Sequence, residues 1–237
     1  MKWLTAPSCW AAYDRGVVRP CRYLPYPVCC PAGKTRGLNM DAVIHTDPTT
    51  LRVMSHKQYE STTILTPTSV NPSPLAQFDE WFTSANESGV AEPEAMSLST
   101  CTRAGIPSSR IVLLKQVDAR GFVFFTNYTS RKSHELTENP YAALAFYWKE
   151  VARQVRVVGR VEKVSKAESE AYYKSRPLGS KIGAWASAQS SVVNEGELVE
   201  RVEEIKKRFD IPDEVNDADI PLPEFWGGWR IVPQYVK

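Results

Sequence analysis

The sequence predicts a mainly β domain of the α+β class, a small closed barrel flanked by helices. Three observations carry this. Between residues 95 and 164, five short apolar or alternating runs follow one another, separated by turn residues or a short helix. Helical periods are inserted among the strands instead of forming a block of their own. No internal repeat and no second core interrupts the pattern.

Residues 1–54 stand apart. They mix Trp, Cys, Pro and Arg with no period of two or 3.6, and Pro7, Pro20, Pro25, Pro27 and Pro31 break any helix. This stretch is expected to be a disordered extension, and 55–237 the folded domain. A Ser- and Thr-rich arm leads to a helix capped by Ser73, with Pro74 in its first position and Leu75, Phe78, Trp81, Phe82 and Ala85 on one face; Gly89 ends it. Strands are predicted over 95–102, 108–117, 122–127, 141–148 and 153–164, with a short helix over 130–138. In the last strand Val155 and Val157 share one face, and Gln154, Arg156 and Val158 the other.

Ser165 and Glu168 form a capping box, so a helix starts there and runs to about Ser175, where Arg176-Pro177 stops it. A second short helix is predicted over 180–187. A longer one spans 195–209 with Leu198, Val202, Ile205 and Phe209 inward. An acidic loop over 210–224 precedes a final strand, 229–236.

The formal net charge of +2 gives no global reason to expect nucleic acid or a membrane surface as partner. Locally, residues 103–163 hold eleven basic side chains against five acidic, and 195–224 eleven acidic against four basic. That asymmetry suits an anionic small ligand in the strand-rich middle; two solvated faces would give the same counts. Cys9, Cys21, Cys29, Cys30 and Cys101 show no regular spacing, and His45, His56 and His134 complete no zinc pattern with them. The thiols are read as reduced, the compartment as intracellular and cytoplasmic. A mitochondrial presequence is the weaker alternative, because the prolines spoil an amphipathic helix. No apolar run approaches the roughly 20 residues of a membrane helix.

Ser130-Arg131-Lys132 opens a helix. Free N–H groups, two cations and a hydroxyl there make a phosphate cradle. Arg110 and Lys115 lie five apart, on opposite faces of a regular strand, so one pocket needs a bulge or a strand end. Solvated rim positions are the alternative for all of these. Tyr172, Arg176 and Ser180, at i, i+4 and i+8, suit a second phosphate despite Pro177; a surface cluster stays open as well. Gln154 and Arg156 face a polar ring or water. Trp185 and Trp226 are expected to be packing residues, and His134 a surface one. No nucleophile stands beside a base, so any reaction needs a cofactor.

At five stretches the chain resembles the pyridoxamine 5′-phosphate oxidase family: SSRIVLLK (108–115), GFVFFTNYTSRK (121–132), FYWKEVARQVRVVGRVEKV (146–164), YYKSRPLGSKIGAWASAQSS (172–191) and WGGWRIVP (226–233). Together they cover roughly residues 70–236. The resemblance implies an FMN-binding split β-barrel that forms a homodimer with FMN at the interface. It implies flavin contacts from Arg110, Ile111, Val112, Leu113, Phe125, Thr126, Arg131 and Lys132, and from Gln154 across the barrel. Gln189 and Ser190 would come from the partner chain or the far side of the interface. Lys115, Tyr172, Arg176 and Ser180 would hold the substrate phosphate. No catalytic residue is implied beyond the flavin, and no metal. The implied reaction oxidises pyridoxamine or pyridoxine 5′-phosphate to pyridoxal 5′-phosphate, with O2 reduced to hydrogen peroxide. The family continues past Tyr235-Val236 with further Trp, Arg and His contacts. Their absence leads to the expectation of a truncated chain with weak or no activity, or a non-catalytic barrel that binds FMN or pyridoxal phosphate. An RNA-binding barrel is disfavoured, since no aromatic platform is interleaved with the cations.

Overall fold

The structure, a computed structural model, describes residues 65–212 and 214–237. The expected extension over 1–54, with four of the cysteines, lies outside the described residues, as does the polar arm before Leu65. The first element is helix α1 (Pro74–Glu87), whose N-cap Ser73 accepts from the amide of Ala76. Its apolar face delivers Phe78 to the barrel interior. There the ring meets Phe122 edge-on at 4.9 Å between centroids and Phe146 at 5.1 Å. At 3% exposure Phe78 is a core residue, and truncating it to Ala would cost about 3–5 kcal/mol.

Seven strands follow: β1 (Ala95–Cys101), β2 (Pro107–Leu113), β3 (Gln116–Asp118), β4 (Gly121–Asn127), β5 (Tyr141–Trp148), β6 (Arg153–Lys163) and β7 (Trp226–Val236). Helix α2 (Arg131–Glu138) separates β4 from β5. Helices α3 (Lys166–Lys174), α4 (Leu178–Ala186) and α5 (Glu197–Arg208) separate β6 from β7. The strands form one antiparallel sheet in the order β2-β1-β5-β6-β7-β4-β3. Its two outer strands, β2 and β3, are consecutive in the chain, with only Leu114 and Lys115 between them. The sheet must therefore curl until its margins meet. The Leu114 amide bonds to Glu94 and the Lys115 amide to Val123, both at 2.9 Å.

That curl corrects one expectation. The single strand predicted over 108–117 is two strands, because the chain leaves the margin beside β1 and joins the margin beside β4. The in–out alternation slips by one at Lys115–Gln116, both exposed, but the unbroken apolar run Ile111–Leu114 gives no sign of this in the sequence. The curled sheet with its helices is the split-barrel fold expected from the sequence.

Inward-facing Met96, Leu98, Phe122, Phe124, Leu144, Phe146, Val155, Val157 and Ile231 fill the barrel. Along β6 the alternation holds as read, with Val155, Val157, Gly159 and Val161 buried and the residues between them exposed. Helix α3 carries the predicted capping box: Ser165 accepts from the Glu168 amide, and Glu168 accepts from the Ser165 amide. Helix α4 starts two residues earlier than expected, at Leu178. Helix α5 starts at Glu197, and none of its residues is fully buried. Val202, Ile205 and Phe209 pack against Ile182, Ile211 and Ile220, but Leu198 is 46% exposed, against the expectation that it faces inward. The covered stripe is narrower than the apolar stripe. The acidic loop is tied back through Lys181 Nζ to Asp217 at 2.8 Å and Trp185 Nε1 to the Pro221 carbonyl at 2.9 Å.

Candidate functional site

A cavity of about 990 Å³ opens where β2, the end of β4, the start of α2 and the α3–α4 junction converge. That is the upper end of the roughly 300–1,000 Å³ usual for ligand sites, enough for two small ligands side by side. Its wall divides into two cationic corners joined by aromatic rings.

The first corner is built on the start of α2. Lys132 is 7% exposed, and its ammonium donates to Thr126 Oγ1 (3.1 Å), Ser130 Oγ (3.2 Å) and Gln189 Oε1 (2.8 Å). None of these three partners is a carboxylate. Burial, with the nearby Arg110 charge, pulls its pKa down to about 8. Ser130 spends its hydroxyl on the Asn127 carbonyl and makes no side-chain cap, so the first amides of α2 keep their donor capacity.

Behind this corner lies a buried carboxylate. Glu135 Oε2 accepts from Thr100 and Ser108, each at 2.5 Å, and lies 3.4 Å from Arg110 Nη2; its other oxygen accepts from Arg131 Nε at 2.9 Å. Burial alone would raise the Glu135 pKa, but these hydrogen bonds outweigh it and hold it at about 2. Arg110 also donates to the Leu98 carbonyl and to Thr100 Oγ1, so its guanidinium is fixed from four sides.

The second corner lies at the α3–α4 junction. Tyr172, Arg176 and Ser180 are not on one helix, because α3 ends at Lys174 and α4 begins at Leu178, yet all three line the cavity with Lys115. The Tyr172 ring stacks on Phe125 at 4.1 Å, and Phe125 stacks on Trp226 at 5.5 Å. Arg176 lies over the Trp226 ring at 4.8 Å. Its Nη1 is buried with no hydrogen-bond partner among the described residues. Burial lowers the Arg176 pKa and raises that of Tyr172, each partly offset by the other. A buried guanidinium N–H with no acceptor is costly unless a ligand supplies one.

Fourteen of the residues singled out from the sequence line this cavity: Arg110, Ile111, Val112, Leu113, Lys115, Phe125, Thr126, Arg131, Lys132, Tyr172, Arg176, Ser180, Gln189 and Ser190. Arg110 and Lys115 reach it together because the strand between them is broken. Two expectations change. Gln189 and Ser190 line the cavity of their own chain, and Gln189 bonds directly to Thr126 and Lys132. Gln154 does not line it; the alternation of β6 puts it on the exposed face, opposite Val155. The sequence reading missed Glu135, whose i+4 spacing from Arg131 was the available signal, and the cavity-lining role of Trp226, which was read as packing alone.

A family model described as pyridoxamine 5′-phosphate oxidase matches residues 82–208. A Psychromonas ingrahamii protein named pyridoxine/pyridoxamine 5′-phosphate oxidase is 53% identical over 165 residues, covering 69% of this chain and 73% of the relative. A Burkholderia thailandensis protein of the same name is 53% identical over 169 residues, covering 71% and 76%. The chain belongs to the pyridoxamine 5′-phosphate oxidase family. Among solved structures, PhzG from Burkholderia lata, in complex with tetrahydrophenazine-1-carboxylic acid, superposes with a TM-score of 0.67 at 28% identity, covering 74% of this chain and 85% of that one. A pyridoxamine 5′-phosphate oxidase-related, FMN-binding protein from Nostoc punctiforme shares the fold, with a TM-score of 0.54 at 15% identity. No helix among the described residues is long and apolar enough to cross a membrane.

Proposed function

We propose that this chain is an FMN-dependent oxidase that converts pyridoxine or pyridoxamine 5′-phosphate to pyridoxal 5′-phosphate. The observation that carries the reading is one cavity with two cationic corners, the second holding a buried guanidinium N–H that lacks an acceptor. Two phosphorylated ligands fit that wall better than one.

The residues fit FMN at the first corner. Arg131, Lys132 and Thr126 would hold its phosphate, assisted by the free amides of α2, and Arg110, Ile111, Val112, Leu113, Gln189 and Ser190 would border the rest. Bound there, FMN would supply the redox chemistry: two electrons and two protons, one from the substrate carbon and one from its hydroxyl or amine, would go on to reduce O2 to hydrogen peroxide, with water replacing the nitrogen of pyridoxamine, which leaves as ammonia. At the second corner Lys115, Tyr172, Arg176 and Ser180 would clamp the substrate phosphate. The stacked rings of Phe125, Tyr172 and Trp226 exclude water beside it. The protein's contribution is orientation: anchoring both phosphates fixes the substrate carbon relative to the flavin.

The reading includes a homodimer in the cytoplasm. Ile111 and Leu113 line the cavity yet are 67% and 37% exposed, so its outer wall is open. Tyr141, Tyr147, Val158 and Tyr235 extend an exposed apolar face over β5, β6 and β7. A second copy on this face closes the wall, and Gln154 reaches a flavin only across such an interface.

The test is peroxide release from the FMN-loaded protein on adding pyridoxine 5′-phosphate. Arg176→Ala is expected to raise KM for phosphorylated substrate about 100-fold, the loss of a charge-assisted clamp. Retained flavin without peroxide would favour the non-catalytic barrel, and no flavin retention would defeat the reading.

A further inference from the structure

Arg230 lies outside the cavity, 1% exposed, on the seventh strand. Its Nη2 donates to Glu168 Oε1 at 2.7 Å and to Asp118 Oδ2 at 3.0 Å, and its Nη1 lies 3.6 Å from Glu162. Glu168 divides its two oxygens between two tasks. Oε1 takes Arg230 and Arg120, while Oε2 takes the amide and hydroxyl of Ser165 and so caps α3. One carboxylate thus joins the helix start to the barrel wall.

A second contact fixes the same helix. The Gly228 amide donates to the buried Ser169 hydroxyl at 3.3 Å. At Gly227 a Cβ would stand 2.3 Å from the Tyr128 hydroxyl, which would have to move, and 3.0 Å from Ser169 Oγ of α3, so the absence of a side chain helps the helix lie close to the strand. One turn after Glu168 the helix presents Tyr172, and just past its end Arg176. Trp226, four residues before Arg230 on the same strand, lies under both.

We propose that Arg230 is a positioning residue for the phosphate clamp, acting through Glu168 to fix α3 and with it Tyr172 and Arg176 against Trp226. The part played by the clamp rests on the functional reading above. The mechanical link from Arg230 to α3 does not.

The experiment uses the full FMN-loaded protein with Arg230→Lys, which keeps the charge but loses the fork, and Glu168→Gln, which keeps a cap acceptor but loses the charge. Two quantities are read: affinity for pyridoxal 5′-phosphate against pyridoxal, and amide exchange in α3 against β5 and β6. Both variants are expected to weaken pyridoxal 5′-phosphate binding at least tenfold with pyridoxal changed less than twofold. Exchange should quicken at least tenfold in α3 and stay unchanged in β5 and β6. Unchanged exchange in α3, or faster exchange throughout the barrel with both ligands weakened alike, overturns the proposal. Wild-type protein that binds pyridoxal and its phosphate equally would sink the functional reading alone, and α3 exchange would still decide the link.

Discussion

The ammonium of Lys132 donates to the side-chain oxygen of Gln189 at 2.8 Å, and the Thr126 hydroxyl donates to the same oxygen at 2.7 Å. A lysine held by neutral partners alone is an anion site waiting for charge. Burial lowers its pKa from 10.5 to about 8. Between pH 8 and 10.5 the unfolded chain holds this proton and the folded one does not, so raising the pH through that window stabilises the ligand-free fold. Below pH 8 the charged amine costs the fold on the order of 1–3 kcal/mol, partly relieved by residual solvent. A bound phosphate reverses the preference. Affinity for FMN should fall about tenfold between pH 7 and pH 9 as the free amine loses its proton. Flavin-fluorescence titration checks this: Lys132→Met should bind more weakly and lose that pH dependence, while its apoprotein is more stable than wild type at pH 7. Equal pH profiles for the two proteins would remove Lys132 from the phosphate site.

Glu135 is the second titratable group with a directional consequence. Its pKa, held at about 2 instead of 4.5, makes its contribution to stability complete above pH 4.5 and lost as pH falls towards 2. Glu135→Gln should destabilise by roughly 2–3 kcal/mol at pH 7, less than a fully orphaned buried charge because Arg131 is mostly exposed. Urea unfolding at successive pH values should show the gap between the two proteins closing from pH 4.5 downward. A constant gap would mean that the carboxylate's charge is not what holds Arg110 and Arg131.

The fold was legible where a local rule decides it. Ser73 with Pro74, and Ser165 with Glu168, mark helix starts that the structure reproduces to the residue. Alternation of Val155 and Val157 against Gln154, Arg156 and Val158 marked the buried face of β6, which the structure extends to Val161. What could not be read is what tertiary closure decides. The break at Leu114–Lys115 exists only because the two margins of the sheet meet, and the continuous apolar run Ile111–Leu114 before it does not announce it. Spacing offered two cation clusters and left solvated rims open as the alternative. Their convergence depends on that break and on the turn at Pro177. Gln189 lies 57 residues from Lys132, so no local pattern could pair them.

Gly159 sits at the irregularity in the β6–β7 pairing, where a Cβ would stand 2.0 Å from the Val232 carbonyl oxygen. Backbone cannot move aside as a side-chain tip does. Gly159→Ala should force β7 away from β6 and cost about 3 kcal/mol, the upper range of overpacking penalties. Thermal unfolding would show a Tm lowered by several degrees, with the Trp229 indole becoming accessible to fluorescence quenchers. A Tm within a degree of wild type would mean the bulge absorbs the methyl group.

A charge at Val158 tests the proposed dimer. It is 39% exposed, and its cross-strand neighbours Ala143 and Tyr235 face outward beside it. Val155 and Val157, on the other face, hold the barrel, so a charge at 158 leaves the core intact. Burying an unpaired carboxylate in a dimer interface costs several kcal/mol, more than the apolar contact it replaces contributes. By sedimentation velocity, wild type is expected to give the proposed dimer and Val158→Glu a folded monomer. Flavin retention after desalting should fall with it, because the wall at Ile111 and Leu113 then stays open. A variant that remains dimeric and keeps its flavin would place the interface elsewhere on the barrel. A monomer that keeps its flavin would show that one chain's cavity suffices, and that Gln154 has no part in it.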